Sequence, residues 1–185
     1  ASCIRSIPEE AVMGSGLSTS RRHQGLNPGG LRPAKYLTCN LNRLPYACAL
    51  DRVQEVMGVQ SILSLPDAPS FVRGAVCVRQ RLILVIDLRL TLALPARVPN
   101  RRNCILLLRV GEGPQQTLVG VIVDSVSEIV DVYADEVREA PDAFSGARPG
   151  LVSGTVRIRG RLTRVIDVNL LLTSEERNTI TTLAA

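Results

Sequence analysis

Apolar and polar residues alternate along much of the chain in short runs. The clearest run covers residues 155–159, in which Val156 and Ile158 alternate with Arg157 and Arg159. Period-two alternation is typical of a strand with one buried face, so the valine and isoleucine are expected to point inward and the arginines outward. Gly160 provides a tight turn, and residues 162–166 lead back towards Asp167. This pattern predicts a β-hairpin.

The same pattern occurs twice. Residues 71–92 and 151–172 are offset by 80 positions and are identical at 11 of the 22 aligned positions. Residues 50–56 and 123–129 form a second repeat, offset by 73 positions. A solenoid or propeller has a shorter period. The repeats therefore predict a duplicated small domain, with Val76 and Val78 inward in the first copy.

The rest of the chain supplies further short elements. Residues 36–41 with 46–50, and 104–110 with 117–123, predict two more hairpins. Thr173 and Glu176 have the spacing of a capping box, which predicts a helix over 174–183 that packs against the opposite lobe. Residues 1–34 have no sustained apolar period and are expected to be a flexible tail. Residues 35–185 are expected to form the folded part.

Composition narrows the class of protein. The chain has 185 residues, 45% of them hydrophobic, and a formal net charge of +5. Its apolar runs are too short to span a bilayer and no basic-then-apolar leader opens it, so a cytoplasmic protein is expected. The few aromatic residues disfavour nucleic-acid binding. We expect cysteines 39, 48, 77 and 104 to be buried reduced thiols, since they lie in apolar or alternating stretches.

Candidate catalytic groups are few. The single histidine, His23, lies in the predicted tail, which leaves no nucleophile–histidine couple in the folded part. Four aspartates end β-type segments at duplicated positions: Asp51, Asp87, Asp124 and Asp167. A catalytic pair needs two different environments, whereas a repeated position suits a repeated helix-capping role. The sequence favours a binding module without metal or cofactor over an enzyme.

Several motifs in order resemble the CheW family of chemotaxis coupling proteins. They occupy residues 53–56 (VQEV), 69–74 (PSFVRG), 78–79 (VR), 84–89 (LVIDLR) and 119–126 (VGVIVDSV). The resemblance covers roughly residue 35 to the C-terminus. It implies an all-β fold of two small five-stranded SH3-like barrels, intertwined and related by pseudo-twofold symmetry, with short helices that include one near the C-terminus.

The resemblance also implies function. Family members are non-catalytic adaptors that link the cytoplasmic tips of chemoreceptors to the regulatory domain of the histidine kinase CheA, at membrane-associated receptor arrays. They use no cofactor, nucleic acid or direct membrane insertion. The kinase contacts lie on barrel edges and are not assigned to residues here. A groove between the lobes receives the receptor helices, and the matching positions are Val53, Glu55, Gly74, Arg79, Ile105, Val126 and Ile129.

Two departures from the family pattern affect the first copy. Gln80 stands where the family commonly has glycine, and it would be strained at positive φ, so the first hairpin is expected to bend differently from the second. Leu84 stands where many members have proline.

Two other functions stay open. The chain is either a free adaptor or the CheW-like part of a larger protein, namely the regulatory end of CheA or CheV. A basic double barrel that binds nucleic acid through Arg157, Arg159, Arg161 and Arg164 is a further alternative.

Overall fold

The structure is a computed structural model that describes residues 32–59, 62–66, 68–141, 144 and 148–183. The described residues form eleven strands and two α-helices. The strands are β1 (Ala34–Leu41), β2 (Leu44–Ala49), β3 (Val53–Gly58), β4 (Val72–Val78), β5 (Arg81–Asp87), β6 (Cys104–Val110), β7 (Thr117–Val123), β8 (Ser125–Val132), β9 (Arg138–Glu139), β10 (Val152–Ile158) and β11 (Arg161–Ile166). The helices are α1 (Leu88–Thr91) and α2 (Ser174–Leu183). Most of the predicted tail, residues 1–34, lies outside the described residues.

Two sheets repeat one topology. The sheet of the first lobe has the strand order β3-β6-β7-β5-β4, and the sheet of the second lobe has the order β8-β1-β2-β11-β10-β9. Each contains one parallel pairing at the same place, β5 with β7 and β11 with β2. The predicted all-β fold of two related lobes is confirmed, although neither sheet is closed into a full barrel. The lobes are intertwined because β1 and β2 precede the first-lobe strands in the chain but pair with β8 and β11, which follow those strands.

The two repeated hairpins turn in the same way. Arg79 and Gln80 have φ values of 48° and 66°, and Arg159 and Gly160 have values of 47° and 79°. Two-residue connections with positive φ at both positions match the right-handed twist of the flanking strands. The expectation that Gln80 would bend the first hairpin differently is therefore wrong, because the pairing of β4 with β5 imposes the turn despite the cost of a side chain there.

The largest apolar core lies between the two sheets. Leu37, Leu41 and Tyr46 of the second lobe are buried in one cluster with Leu84 and Leu106 of the first lobe. Each lobe also has a smaller core of its own. That of the first lobe contains Val76, Val85 and Ile122, and that of the second lobe contains Val132, Val156 and Val165. The repeated alternation thus places Val76 and Val156 inward, as predicted, and burying the shared core fixes the two lobes against each other.

A buried ionic cluster lies where the chain passes from the first lobe to the second. Asp124, between β7 and β8, accepts hydrogen bonds from the Asn42 backbone N–H at 2.6 Å, from Asn103 Nδ2 at 3.1 Å and from Arg89 Nη2. Arg89 is 1% exposed, and its Nη1 lies 3.5 Å from Asp87 Oδ1. Because Asn42 belongs to the β1–β2 turn and Arg89 follows β5, the cluster joins both sheets.

The four duplicated aspartates do not share one role. Asp87 and Asp167 cap the turns that follow β5 and β11, accepting from the backbone N–H of Arg89 at 3.0 Å and of Asn169 at 2.9 Å. The capping prediction is confirmed for these two. It is wrong for Asp51, which lies inside the 3-10 turn Leu50–Arg52, and for Asp124, because the chain crosses between the sheets at both places instead of starting an α-helix.

The C-terminal helix α2 joins the lobes from outside. The predicted capping box is present: the Thr173 N–H donates to Glu176 Oε2 at 2.7 Å, and the Glu176 N–H donates to Thr173 Oγ1 at 3.2 Å. Ile180 is buried in the shared core, and Thr181 Oγ1 lies 3.4 Å from Thr117 Oγ1 of β7. The helix therefore follows the second lobe in sequence and packs against the first, as expected.

The described cysteines are free, and three of the four are buried. Cys39, Cys48 and Cys104 lie in the shared core, where burial raises the pKa of Cys39 well above its usual value and that of Cys48 to about 12. Cys77 is exposed, which corrects the expectation of four buried thiols. It occupies the outward position of β4 between Val76 and Val78, so strand phase decides its exposure and not its apolar neighbours.

We predict that Arg89→Leu lowers the free energy of unfolding by about 3 kcal/mol, because it leaves Asp124 without its arginine and leaves the buried carboxylate of Asp87 with Arg73 as its remaining ion-pair partner. Urea unfolding measures this. Arg97→Leu, at an exposed arginine in the β5–β6 connection, is the control and should change the value by less than about 0.5 kcal/mol. A loss below about 1 kcal/mol for Arg89→Leu would contradict a structural role for the cluster.

We also predict that, in a Cys3→Ser background, a thiol reagent labels native Cys77 rapidly and labels the three buried cysteines only after unfolding, because they are inaccessible and burial also raises the pKa of Cys39 and that of Cys48. Mass spectrometry after timed labelling counts the cysteines that have reacted. Cys77→Ser should abolish the rapid phase, and a rapid phase that persists in that variant would show that the core opens.

Candidate functional site

The exposed tip of the first lobe carries an ion pair. Arg79 is the first residue of the β4–β5 turn, and its side chain is 80% exposed. Its Nη2 donates to Glu55 Oε2 on β3 at 3.2 Å. Arg79 was expected at the outward phase of a strand; it is exposed, but it lies in the turn because β4 ends at Val78. The hairpin therefore presents the guanidinium at the end of a rigid two-stranded support.

An equivalent pair occurs on the second lobe. Arg159, in the β10–β11 turn, donates to Glu128 Oε2 of β8 at 2.5 Å, and its side chain is 77% exposed. Glu128 corresponds to Glu55 in one repeat of the sequence, and Arg159 to Arg79 in the other. Exposed pairs of this kind contribute about 1 kcal/mol or less to stability. Each pair can therefore open towards a partner at little cost to the fold.

Two candidate site residues, Val126 and Ile129, lie on the second lobe. Both belong to β8 and are partly buried against the shared core, opposite Cys39 and Leu37 of β1. Glu128 is on the same strand. The structure thus brings Arg79 and Glu55 together on one lobe and places Val126 and Ile129 near the second pair on the other.

Two further candidates are core residues. Val53 is 6% exposed in the shared core, and Ile105 is fully buried in the smaller core of the first lobe. Their side chains offer no surface to a partner in this structure. Their contribution is to hold β3 and β6 under the tip, since Val53 pairs with Leu108 across these strands.

The last candidate, Gly74, allows another backbone segment to approach β4 closely. It has φ of +139°, and a Cβ atom there would lie 2.1 Å from the Leu63 carbonyl oxygen. Leu63 crosses this edge of β4 and exchanges two backbone hydrogen bonds with Ala75. Gly154 permits the equivalent approach of β9 in the second lobe, where a Cβ would lie 2.9 Å from the Arg138 carbonyl oxygen.

Two features of the tips were not predicted from the sequence. The first is the pairing of Glu128 with Arg159, although the repeats relate them to Glu55 and Arg79. The second is the exposure of Leu82 and Leu162, which lie at equivalent positions beside the two turns and are 47% and 45% exposed. The signal was present in their outward phase, because Leu82 pairs with exposed Cys77 across the hairpin.

The described residues contain neither a metal site nor a membrane-spanning helix. No group of three or more histidine, cysteine, aspartate or glutamate side chains is placed to hold a metal ion. No helix in the same part of the chain has the length and apolar character needed to cross a bilayer.

Comparison with known proteins gives a consistent result. The model of the CheW-like domain family matches residues 35–176. A chemotaxis protein CheW from Klebsiella aerogenes is 26% identical over 162 residues, which covers 88% of this chain and 93% of that protein. A chemotaxis protein CheW from Rhizobium meliloti is 28% identical over 125 residues, covering 68% of this chain and 78% of that protein.

A solved structure shows the same fold. The crystal structure of the scaffolding protein TtCheW from Thermoanaerobacter tengcongensis superposes with a TM-score of 0.67 and covers 83% of this chain and 96% of that one, at 22% identity.

We predict that Gly74→Ala lowers the free energy of unfolding by about 3 kcal/mol or more, because the new methyl group meets the Leu63 carbonyl at a positive φ. Thermal and urea unfolding measure the loss. Gly58→Ala, where an added Cβ meets nothing within 4 Å, is the control and should be nearly neutral. A stable Gly74→Ala variant that has lost only partner binding would instead make Gly74 a contact residue.

Proposed function

The chain belongs to the CheW-like domain family, and we propose that it is a non-catalytic adaptor that couples chemoreceptors to a CheA-type histidine kinase. Relatives named as chemotaxis proteins align along most of its length. The proposed adaptor domain covers residues 35–185, with residues 1–34 as a flexible tail. On this proposal the protein is cytoplasmic and joins membrane-associated arrays through its partners, without inserting into the bilayer.

The observation that carries the proposal is the exposed Arg79–Glu55 pair. Arg79 stands at the position that receptor binding in this family leads us to expect, and its guanidinium is exposed on a fixed hairpin. A receptor carboxylate can replace Glu55 as its partner, or a receptor carbonyl can accept a second hydrogen bond from it. Charge-assisted bonds of this kind combine energy with direction, which suits recognition of a helix end or turn.

The apolar part of the proposed receptor surface comes from residues around this pair. Leu82 is exposed beside the turn, and Val126 and Ile129 are partly buried on the other lobe. A receptor helix that lies between the lobes would cover them, as in other complexes in which a groove receives a helix. Val53, Ile105 and Gly74 act behind this surface by fixing the strands that carry it.

The kinase surface is proposed to lie on the open sheet edges. Glu55 on β3 and Val126 and Ile129 on β8 belong to the proposed receptor surface, so the edges proposed for the kinase are the two others, β4 in the first lobe and β9 in the second. Edge strands offer backbone groups to a neighbouring domain, and two edges on two lobes allow contact with two kinase domains. These two edges carry none of the side chains proposed to contact the receptor, so receptor and kinase are proposed to bind together.

We predict that Arg79→Glu weakens binding of a receptor cytoplasmic tip by about 2 kcal/mol or more, while stability changes by less than about 0.5 kcal/mol. The new carboxylate faces Glu55 and repels receptor carboxylates. Isothermal titration calorimetry with a receptor fragment measures the affinity, and binding of the kinase regulatory domain should be unchanged.

The control is Arg159→Glu, which makes the same change at the equivalent turn of the second lobe. On an asymmetric groove, to which the second lobe contributes Val126 and Ile129 but no arginine, it should leave receptor affinity nearly unchanged. Equal losses at both positions, or no loss at Arg79, would remove the reason for placing the receptor contact on the first lobe.

A further inference from the structure

The second lobe carries a concentrated basic surface, here called the basic corner, made of Arg43, Arg157, Arg159, Arg161 and Leu162. All five residues are exposed. Arg161 Nη2 donates to the Arg43 carbonyl at 3.4 Å, which joins the β10–β11 hairpin to the β1–β2 turn. Arg157 Nη1 donates to the Gly160 carbonyl at 3.1 Å, so this guanidinium lies over the same hairpin tip.

The charge of the basic corner is poorly balanced. Among the described residues, Arg159 is the one arginine of the four with a carboxylate at ion-pair distance, that of Glu128. The others donate to backbone carbonyls or face solvent. Clustered like charges repel one another and disfavour the compact state. The surface therefore has cationic groups available to an anionic partner.

The fold does not require all of this charge, because the first lobe builds the same hairpin with Arg79 and Arg81 but with no arginine at the position of Arg157. Cys77 occupies the position equivalent to Arg157, each paired across its hairpin with an exposed leucine. The β6–β7 connection, equivalent to the β1–β2 turn that holds Arg43, instead contains Glu112, which pairs with Arg52. Two copies of one scaffold thus differ in charge at their tips, which indicates a separate use for the second tip.

The aromatic and apolar residues around the basic corner favour a protein over a nucleic acid as its anionic partner. Two aromatic rings near this hairpin lie against Arg164, whose guanidinium carbon is 4.2 Å from the Phe144 ring centre and 5.6 Å from that of Tyr46, and a third, Tyr36, packs against the core of this lobe. Tyr46 is 3% exposed. These rings are therefore not available to stack on nucleic-acid bases. In contrast, Leu162 is 45% exposed between arginines and suits an apolar side chain.

We propose that the basic corner binds an acidic segment of a partner protein. Carboxylates of the segment contact Arg43, Arg157 and Arg161, and an apolar side chain of the segment covers Leu162. Arginine suits this role because its planar guanidinium binds carboxylates in a bidentate manner. The proposal does not depend on the receptor contact at Arg79, which lies on the other lobe.

The test uses the full chain and a fluorescein-labelled 12-residue peptide of glutamates with two central leucines. Anisotropy should show binding that weakens as salt is raised, because exposed charge pairs are screened. Arg157→Gln/Arg161→Gln should weaken binding by about tenfold, since two charge-assisted contacts are lost. The ion pair of Arg159 with Glu128 is kept in this variant, and an unchanged unfolding midpoint would show that the fold is intact.

Two further variants separate this surface from general basicity. Arg81→Gln removes the arginine equivalent to Arg161 in the first lobe and should leave peptide affinity unchanged. Leu162→Ser removes no charge and should weaken binding of this peptide but not of a peptide that lacks the leucines. Absence of peptide binding, equal losses for Arg81→Gln, or stronger competition by a random oligonucleotide or by anionic vesicles than by unlabelled peptide would overturn the proposal.

Discussion

We infer that the arrangement of the two lobes depends on the carboxylate of Asp124, which Arg89 holds at the end of the first-lobe sheet. A buried charge is costly unless a partner compensates it, so Arg89, which follows β5, fixes the position of Asp124, which follows the neighbouring strand β7. Asp124 also binds the β1–β2 turn through the Asn42 N–H. The shared apolar core favours contact between the sheets, but it is non-directional. The ionic cluster adds direction, and we infer that it selects one orientation.

The two lobes, fixed in this orientation, carry equivalent tips. Each lobe presents an arginine in a left-handed turn and a glutamate on an edge strand, at equivalent positions. The pairs are exposed and contribute little to folding, so substitutions around them are tolerated. The second tip has Arg157 where the first has Cys77, and it lies beside Arg43 of the β1–β2 turn. A duplicated scaffold of this kind can assign different partners to surfaces that share one backbone.

The sequence predicted the elements that depend on local pattern. Alternation placed Val76 and Val156 inward, and the capping box located α2. It did not predict features that depend on residues far apart in the chain: Asp124 contacts Asn42, which is 82 positions away. Apolar character alone also did not separate Ile105, which is fully buried, from Val126, which is partly buried, because both lie in strands with apolar neighbours. Exposure of Cys77 followed from strand phase, which outweighed residue type.

The central claim is that one chain offers separate surfaces to a receptor and a kinase. Sedimentation of the full chain mixed with a chemoreceptor tip fragment and a CheA-type regulatory domain tests this most directly. The account predicts a complex that contains all three proteins, and predicts that saturation with one partner leaves affinity for the other undiminished. Mutually exclusive binding, in which the receptor fragment displaces the kinase domain, would contradict it.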